Sequence, residues 1–317
     1  MSSPLDSILS RALSIRLNLQ ISVSSLTIVE EWMDVHLNRW LESVPLPPEM
    51  PMGHTAHFSV TLASDLSRVS WQAYGHPDGF VPKLARYLEA CRIAGQDMGL
   101  LDHMGSELAP RLVGSWVSVQ NAQVQTGWQF CDAHPFAIIE PLFADHDARR
   151  KVVAWAESAR VDTFRRFAQG IGDAAFSEIE FPVPGVSIDD QLAQATTAFK
   201  MLLGEPPPEP VVRAMSSALS PEFTLGVRIR DGVICRLALQ APGFGNDLIV
   251  ELCQGAGVPF DERMIPKLQG ALGTQAADRV EFFRQLDKDA WPVGVDLHLI
   301  PTDTGDLPIG LPIKGLN

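Results

Sequence analysis

The feature that most restricts this chain is a unit of two strands joined by a tight turn, recurring between helices. Its clearest copies are His54 to Tyr74, HTAHFSVTLASDLSRVSWQAY, and Phe223 to Gln240, FTLGVRIRDGVICRLALQ. Each copy carries Asp in its turn and Arg near the start of its second strand. Strands joined as hairpins run antiparallel. Further hairpin patterns span 112–122 with 125–132 and 278–287 with 292–300, and a single strand is expected from Phe176 to Val183, stopped by Pro182 and Pro184. Helical spacing of apolar residues predicts helices over 4–20, 27–44, 79–95, 98–108, a long stretch of 145–169, 188–203, 209–219, 246–256 and 260–272. The order is helix, strand pair, helix, repeated four or five times. Two architectures satisfy it: a closed antiparallel barrel of about ten strands ringed by helices, or two α+β lobes with open antiparallel sheets.

Side-chain alternation gives every strand one dry and one wet face. Ala56, Phe58, Val60 and Leu62 oppose Thr55, His57, Ser59 and Thr61. Leu225, Val227 and Ile229 oppose Thr224, Gly226, Arg228 and Arg230, while Val293, Val295 and Leu297 oppose Gly294, Asp296 and His298. The dry faces call for helices. The wet faces meet bulk solvent or line a lumen. They are rich in Ser, Thr, Gln, His and Arg, interleaved with Tyr74, Trp116 and Phe283, and no strand carries Lys. A solvated face favours Lys and Glu, so this mixture points to a polar lumen.

Composition narrows the partners. A formal charge of −13 over 317 residues argues against nucleic acid and anionic membranes as broad partners. No apolar run is long enough to span a bilayer, and the start of the chain does not read as a signal peptide. Cys91, Cys131, Cys235 and Cys253 show no paired spacing and read as buried reduced thiols. A soluble, cytoplasmic protein is expected.

The stretch Val211 to Gln240, VVRAMSSALSPEFTLGVRIRDGVICRLALQ, resembles the soluble aromatic prenyltransferases of the ABBA, or PT-barrel, fold. The likeness lies in a helix, a strand, the Asp231-Gly232 turn and a second strand opening on Arg236-Leu237. The overall length and element order are similar as well. The resemblance implies one barrel domain over residues 1–317. Its lumen would hold an allylic diphosphate and an aromatic or indole-like acceptor, with Arg236 a diphosphate ligand. Divalent magnesium could accompany the diphosphate, and no other cofactor is implied. Two tyrosines and Lys-free strands depart from the family's usual lumen.

Leaving-group charge on a diphosphate calls for several cationic donors, and guanidinium groups match phosphate oxygens bidentately. Arg68, Arg228, Arg230, Arg236 and Arg279 are the candidates, against the alternative of solvated or structurally paired arginines. Ser59, Gln72, Tyr74, Trp116, Gln240, Phe283 and Asp296 are candidates for the acceptor and prenyl side. His57, Glu178 and His298 are candidates for acid–base work. Glu178 with Glu180 reads equally as the wet face of an edge strand. His54, His57, Asp296 and His298 would come together if the first and last strands are neighbours, and lumen hydrogen bonding is preferred there over a metal site. No P-loop, nucleophile elbow or dinucleotide fingerprint is present.

Overall fold

The computed structural model describes residues 56–62, 68–90, 101, 105–106, 108–110, 112–120, 123–140, 147–172, 175–260, 262–263, 265–266, 277–286 and 293–299. The expected helices over 4–20 and 27–44, His54, most of 98–108 and 260–272, and the tail from Pro301 lie outside them.

Ten strands are described: β1 (Ala56–Leu62), β2 (Arg68–Gly75), β3 (Val113–Gln120), β4 (Gln123–Pro135), β5 (Thr163–Ile171), β6 (Phe176–Pro182), β7 (Thr224–Arg230), β8 (Val233–Phe244), β9 (Ala277–Gln285) and β10 (Val293–Leu299). Five α-helices accompany them: α1 (Pro77–Ala90), α2 (Asp147–Ala159), α3 (Ile188–Leu203), α4 (Glu209–Met215) and α5 (Asn246–Gly255). Every strand pairs antiparallel with its sequence neighbour, and β1 pairs with β10, Ser59 opposite His298 and Thr61 opposite Asp296. The strands therefore form one sheet closed into a barrel, which leaves no free sheet edge.

Local chemistry supports each element. The β7–β8 turn places Asp231 at φ 50° and Gly232 at φ 75°. Two successive positive-φ residues match the twist of the flanking strands, which is why an Asp-Gly pair sits there. Helix α3 starts at Ser187, whose hydroxyl accepts from the Asp190 amide at 3.1 Å, and stops at left-handed Gly204. The outward faces of the strands and the inward faces of the helices make the apolar core, with Trp128, Phe130, Phe164, Phe167, Phe181, Phe199, Phe223 and Phe282 all buried in it.

Three expectations are corrected here. The helix expected over 145–169 is α2 followed by strand β5. Arg160 ends α2 at φ 56°, and the Val161 amide donates back to the Ala156 carbonyl at 2.8 Å. No glycine marks that stop, so the helical pattern ran on in the sequence. The single middle strand is accordingly a pair, β5–β6. Strand β6 is also not an edge: it lies between β5 and β7, with Glu178 opposite Ala168 and Arg228.

Candidate functional site

The registers carry one face of the sheet all the way round. Gln72 faces Trp116, Trp116 faces Gly127, Gly127 faces Gly170, and Gly170 faces Phe176. One layer along, Ala168, Glu178, Arg228 and Arg236 stand opposite one another in turn. A third layer runs Gln240, Glu281, Asp296, Thr61 and Arg68. The wet faces therefore point inward, as their residue makeup suggested.

Inside lies a cavity of about 70 Å³ bordered by Ser59, Arg68, Gln72, Trp116, Arg166, Glu178, Arg228, Arg236, Asp296 and His298, among others. Five guanidinium groups and four carboxylates fill the surrounding lumen. Arg68 reaches Asp296 at 2.6 Å and Thr61 at 2.7 Å. Arg236, only 3% exposed, donates to Glu281 and to Asp296 at 2.8 Å and lies 3.6 Å from Glu178. Glu178 also receives Arg228 at 2.7 Å and Arg166 at 2.5 Å. Arg166 donates to Glu180 at 2.9 Å and to the side-chain amide oxygen of Gln129 at 3.0 Å. Arg279 reaches Glu180 at 3.3 Å and Gln240 at 3.2 Å. Gln240 donates to Glu281 at 2.6 Å.

The pairing decides the ionisation states. Burial raises the pKa of Glu178, but Arg228, Arg166 and Arg236 outweigh it and hold the carboxyl far below the usual range. For Glu180, burial is outweighed by Arg166 and Arg279, and the pKa falls to about 2. Asp296 is likewise held low, burial being overcome by Arg68 and Arg236. At neutral pH the five guanidinium groups exceed the four carboxylates by one charge. Glu178 is therefore a hydrogen-bond acceptor rather than a proton donor.

The aromatic side chains obey a simple rule. Tyr74, Trp116, Phe176 and Phe283 each stand opposite a glycine on the neighbouring strand: Gly114, Gly127, Gly170 and Gly294. A Cβ at Gly114, Gly127 or Gly170 would lie 2.5–2.7 Å from the facing ring, and one at Gly294 closer still. Bare backbone lets each ring pack against the wall. Trp116 stacks on Phe176 at 5.8 Å. Arg228 lies 3.9 Å over Phe176, and Arg236 4.2 Å over Phe283, cation–π placements that hold the guanidinium planes.

Of the residues singled out in the sequence, Ser59, Arg68, Gln72, Trp116, Glu178, Arg228, Arg236, Asp296 and His298 meet at the cavity. Gln240, Phe283 and Arg279 stand beside it in the same lumen network. Tyr74 is buried, donating to Gln72 at 2.9 Å and accepting from Gln129 at 2.7 Å; burial pushes its pKa well above the usual phenol value. His57 sits on β1 opposite Gln72, but its side chain lies outside the described residues. Arg230 is beyond the β-bulge that follows Arg228 and does not border the cavity. Arg166, Gln129, Phe176 and Glu281 are among the cavity residues sequence reading missed. Arg166 was hidden because its segment was read as helix, and burial along Thr163–Ile171 does not alternate strictly, Arg165 being exposed beside half-buried Arg166 and Phe167 and Ala168 both buried. Among the described residues no cluster of His, Cys, Asp and Glu is placed to hold a metal ion, and no helix is long and apolar enough to cross a membrane.

No protein-family model matches the chain. A PH domain-containing protein of Dictyostelium discoideum is 27% identical over 257 residues, 77% of this chain and 54% of that protein. The chain thus spans about half the length of that relative. The solved structures it resembles are prenyltransferases. NotF in complex with brevianamide F and DMSPP gives a TM-score of 0.67 at 14% identity, over 93% of this chain and 92% of that one. PriB with its product diphosphate gives 0.65 at 12% identity, over 95% and 97%. A 6-dimethylallyltryptophan synthase from Micromonospora olivasterospora with DMASPP and Trp gives 0.59 at 13%, over 88% and 97%. The chain carries the fold of the ABBA, or PT-barrel, aromatic prenyltransferases.

Proposed function

We propose that this protein, as one PT-barrel-like domain over residues 1–317, transfers a prenyl group from an allylic diphosphate to an aromatic or indole-like acceptor. The observation that carries the reading is the convergence of Arg68, Arg228 and Arg236 on one cavity inside the barrel. The fold is shared with proteins solved with a diphosphate product or with a thiolodiphosphate donor and an indole-bearing acceptor. In this reading the three guanidinium groups take up charge as the allylic C–O bond breaks and its electron pair leaves with the diphosphate. Trp116 and Phe176 flank the allyl group. The acceptor ring forms the new C–C bond and loses its proton to His298, which borders the cavity. Glu178, held ionised, accepts a hydrogen bond from the acceptor's N–H or O–H group.

At about 70 Å³ the cavity is smaller than the roughly 300 Å³ or more that an organic ligand usually occupies. Substrate entry therefore requires lumen side chains to move and carboxylates to release arginines. That same tightness favours a second reading, a barrel binding a small polar ligand without prenyl chemistry. Calorimetry and product mass spectrometry with dimethylallyl and geranyl diphosphate, tryptophan and a panel of phenols, with magnesium or chelator, separate the two. Donor binding and a prenylated acceptor support transfer. Failure to bind any allylic diphosphate under either condition removes it and leaves the second reading.

A further inference from the structure

Asp296 occupies an unusual position in the lumen. A single oxygen, Oδ2, receives Arg68 at 2.6 Å and Arg236 at 2.8 Å, bridging guanidinium groups from β2 and β8. Those arginines belong to strands on opposite flanks of the β1–β10–β9 segment. The carboxylate borders the cavity and is 4% exposed. A phosphate oxygen entering the cavity would seek the same two donors, since bridged guanidinium pairs are what a charged oxygen selects. Among the described residues Arg68 holds one carboxylate, Asp296, with Thr61 beside it. Arg236 keeps Glu281 and the more distant Glu178 in addition. Removing the Asp296 charge therefore releases Arg68 from its carboxylate while leaving Arg236 anchored.

We propose that Asp296 is a specificity-determining internal anion: it occupies the bridging position that an incoming diphosphate oxygen requires and so sets which ligands the lumen admits. The inference rests on the donor site of the proposed transferase. A diphosphate gains entry by displacing the carboxylate from Arg68 and Arg236. A singly charged ligand meets the one-charge excess of the lumen without displacing anything, whereas a bare diphosphate must compete with Asp296 and is repelled by it.

The test is calorimetric titration of inorganic diphosphate, in chelator, into the full chain and its Asp296→Asn variant, with melting curves to verify folding. Neutralising the carboxylate raises diphosphate affinity about tenfold or more, because an adjacent like charge is removed while the donors stay. The gain disappears in the double variant Arg68→Gln with Asp296→Asn, which separates the bridging position from a general change of charge. If Asp296→Asn does not fold, Asp296→Ser carries the same expectation. Equal affinity of wild type and the neutral variant, or a gain that survives loss of Arg68, overturns the role of Asp296 but leaves the donor reading intact. No binding by either protein overturns both.

Discussion

Glu178 is the side chain on which the lumen's electrostatics most depend. It is 6% exposed and takes Arg166 at 2.5 Å and Arg228 at 2.7 Å, with Arg236 at 3.6 Å. In Glu178→Ala, Arg166 still has Glu180 and Gln129, and Arg236 still has Glu281 and Asp296. Arg228 fares worst. Its side chain is 12% exposed, Glu178 is its carboxylate among the ion pairs described, and the Phe176 ring beneath it cannot replace a carboxylate. Leaving a buried charge without its partner costs about 3–5 kcal/mol, far more than the net worth of the pair itself. Glu178→Ala should therefore lose that much in urea unfolding, read from the midpoint at constant slope. Adding Arg228→Met to Glu178→Ala removes the stranded charge and should recover most of the loss, because an apolar side chain of similar size avoids the desolvation cost. A single variant within about 1 kcal/mol of wild type, or a double variant no more stable than the single, would refute the view that these charges are held away from water.

Other outcomes follow from the same geometry. Glu178, Glu180 and Asp296 all have folded pKa values below their unfolded ones, so their stabilisation is complete above the ordinary carboxylate range and is lost as pH falls through the folded values. Urea midpoints should fall steeply from pH near 4.5 toward the value of about 2 held by Glu180, and Glu180→Gln should flatten that slope. Gly170→Ala should cost about 1–3 kcal/mol by overpacking, since its Cβ would meet the Phe176 ring at 2.5 Å; a neutral result on thermal melting would mean that the ring is free to move. Burial pushes the thiol of Cys253 up to about 12, so it should resist iodoacetamide at pH 8 until urea unfolds the chain, and rapid native labelling would contradict its placement; Cys131 is half-buried rather than buried as the sequence suggested. Ser187→Ala should cost about 1 kcal/mol through loss of the α3 cap.

Much of the wall was legible because a strand's side chains alternate strictly, so the inward residues of β1, β2, β7, β8 and β10 could be separated from the outward ones by spacing alone. Asp231-Gly232 marked its own turn, and Arg68, Arg228, Arg236 and Asp296 reached the cavity from faces assigned in advance. Arg166 escaped because α2 ends on left-handed Arg160 instead of a glycine, leaving no chemical sign in the sequence that a strand follows. Glu178 and Glu180 were visible as a pair but not as a buried one, since nothing local distinguishes an edge strand from one flanked on both sides.

Alternation is a local property, and so the sequence by itself determined which residues share a face. Partnership is not local. Arg68 and Asp296 lie 228 positions apart and meet because β1 closes against β10. That closure turned a set of wet faces into a lumen. It also converted arginines that could have been free cations into members of a network in which carboxylates already hold them. The sequence specified the charges; the barrel's register decided which charge faces which, and therefore how much of that positive charge is left for a ligand.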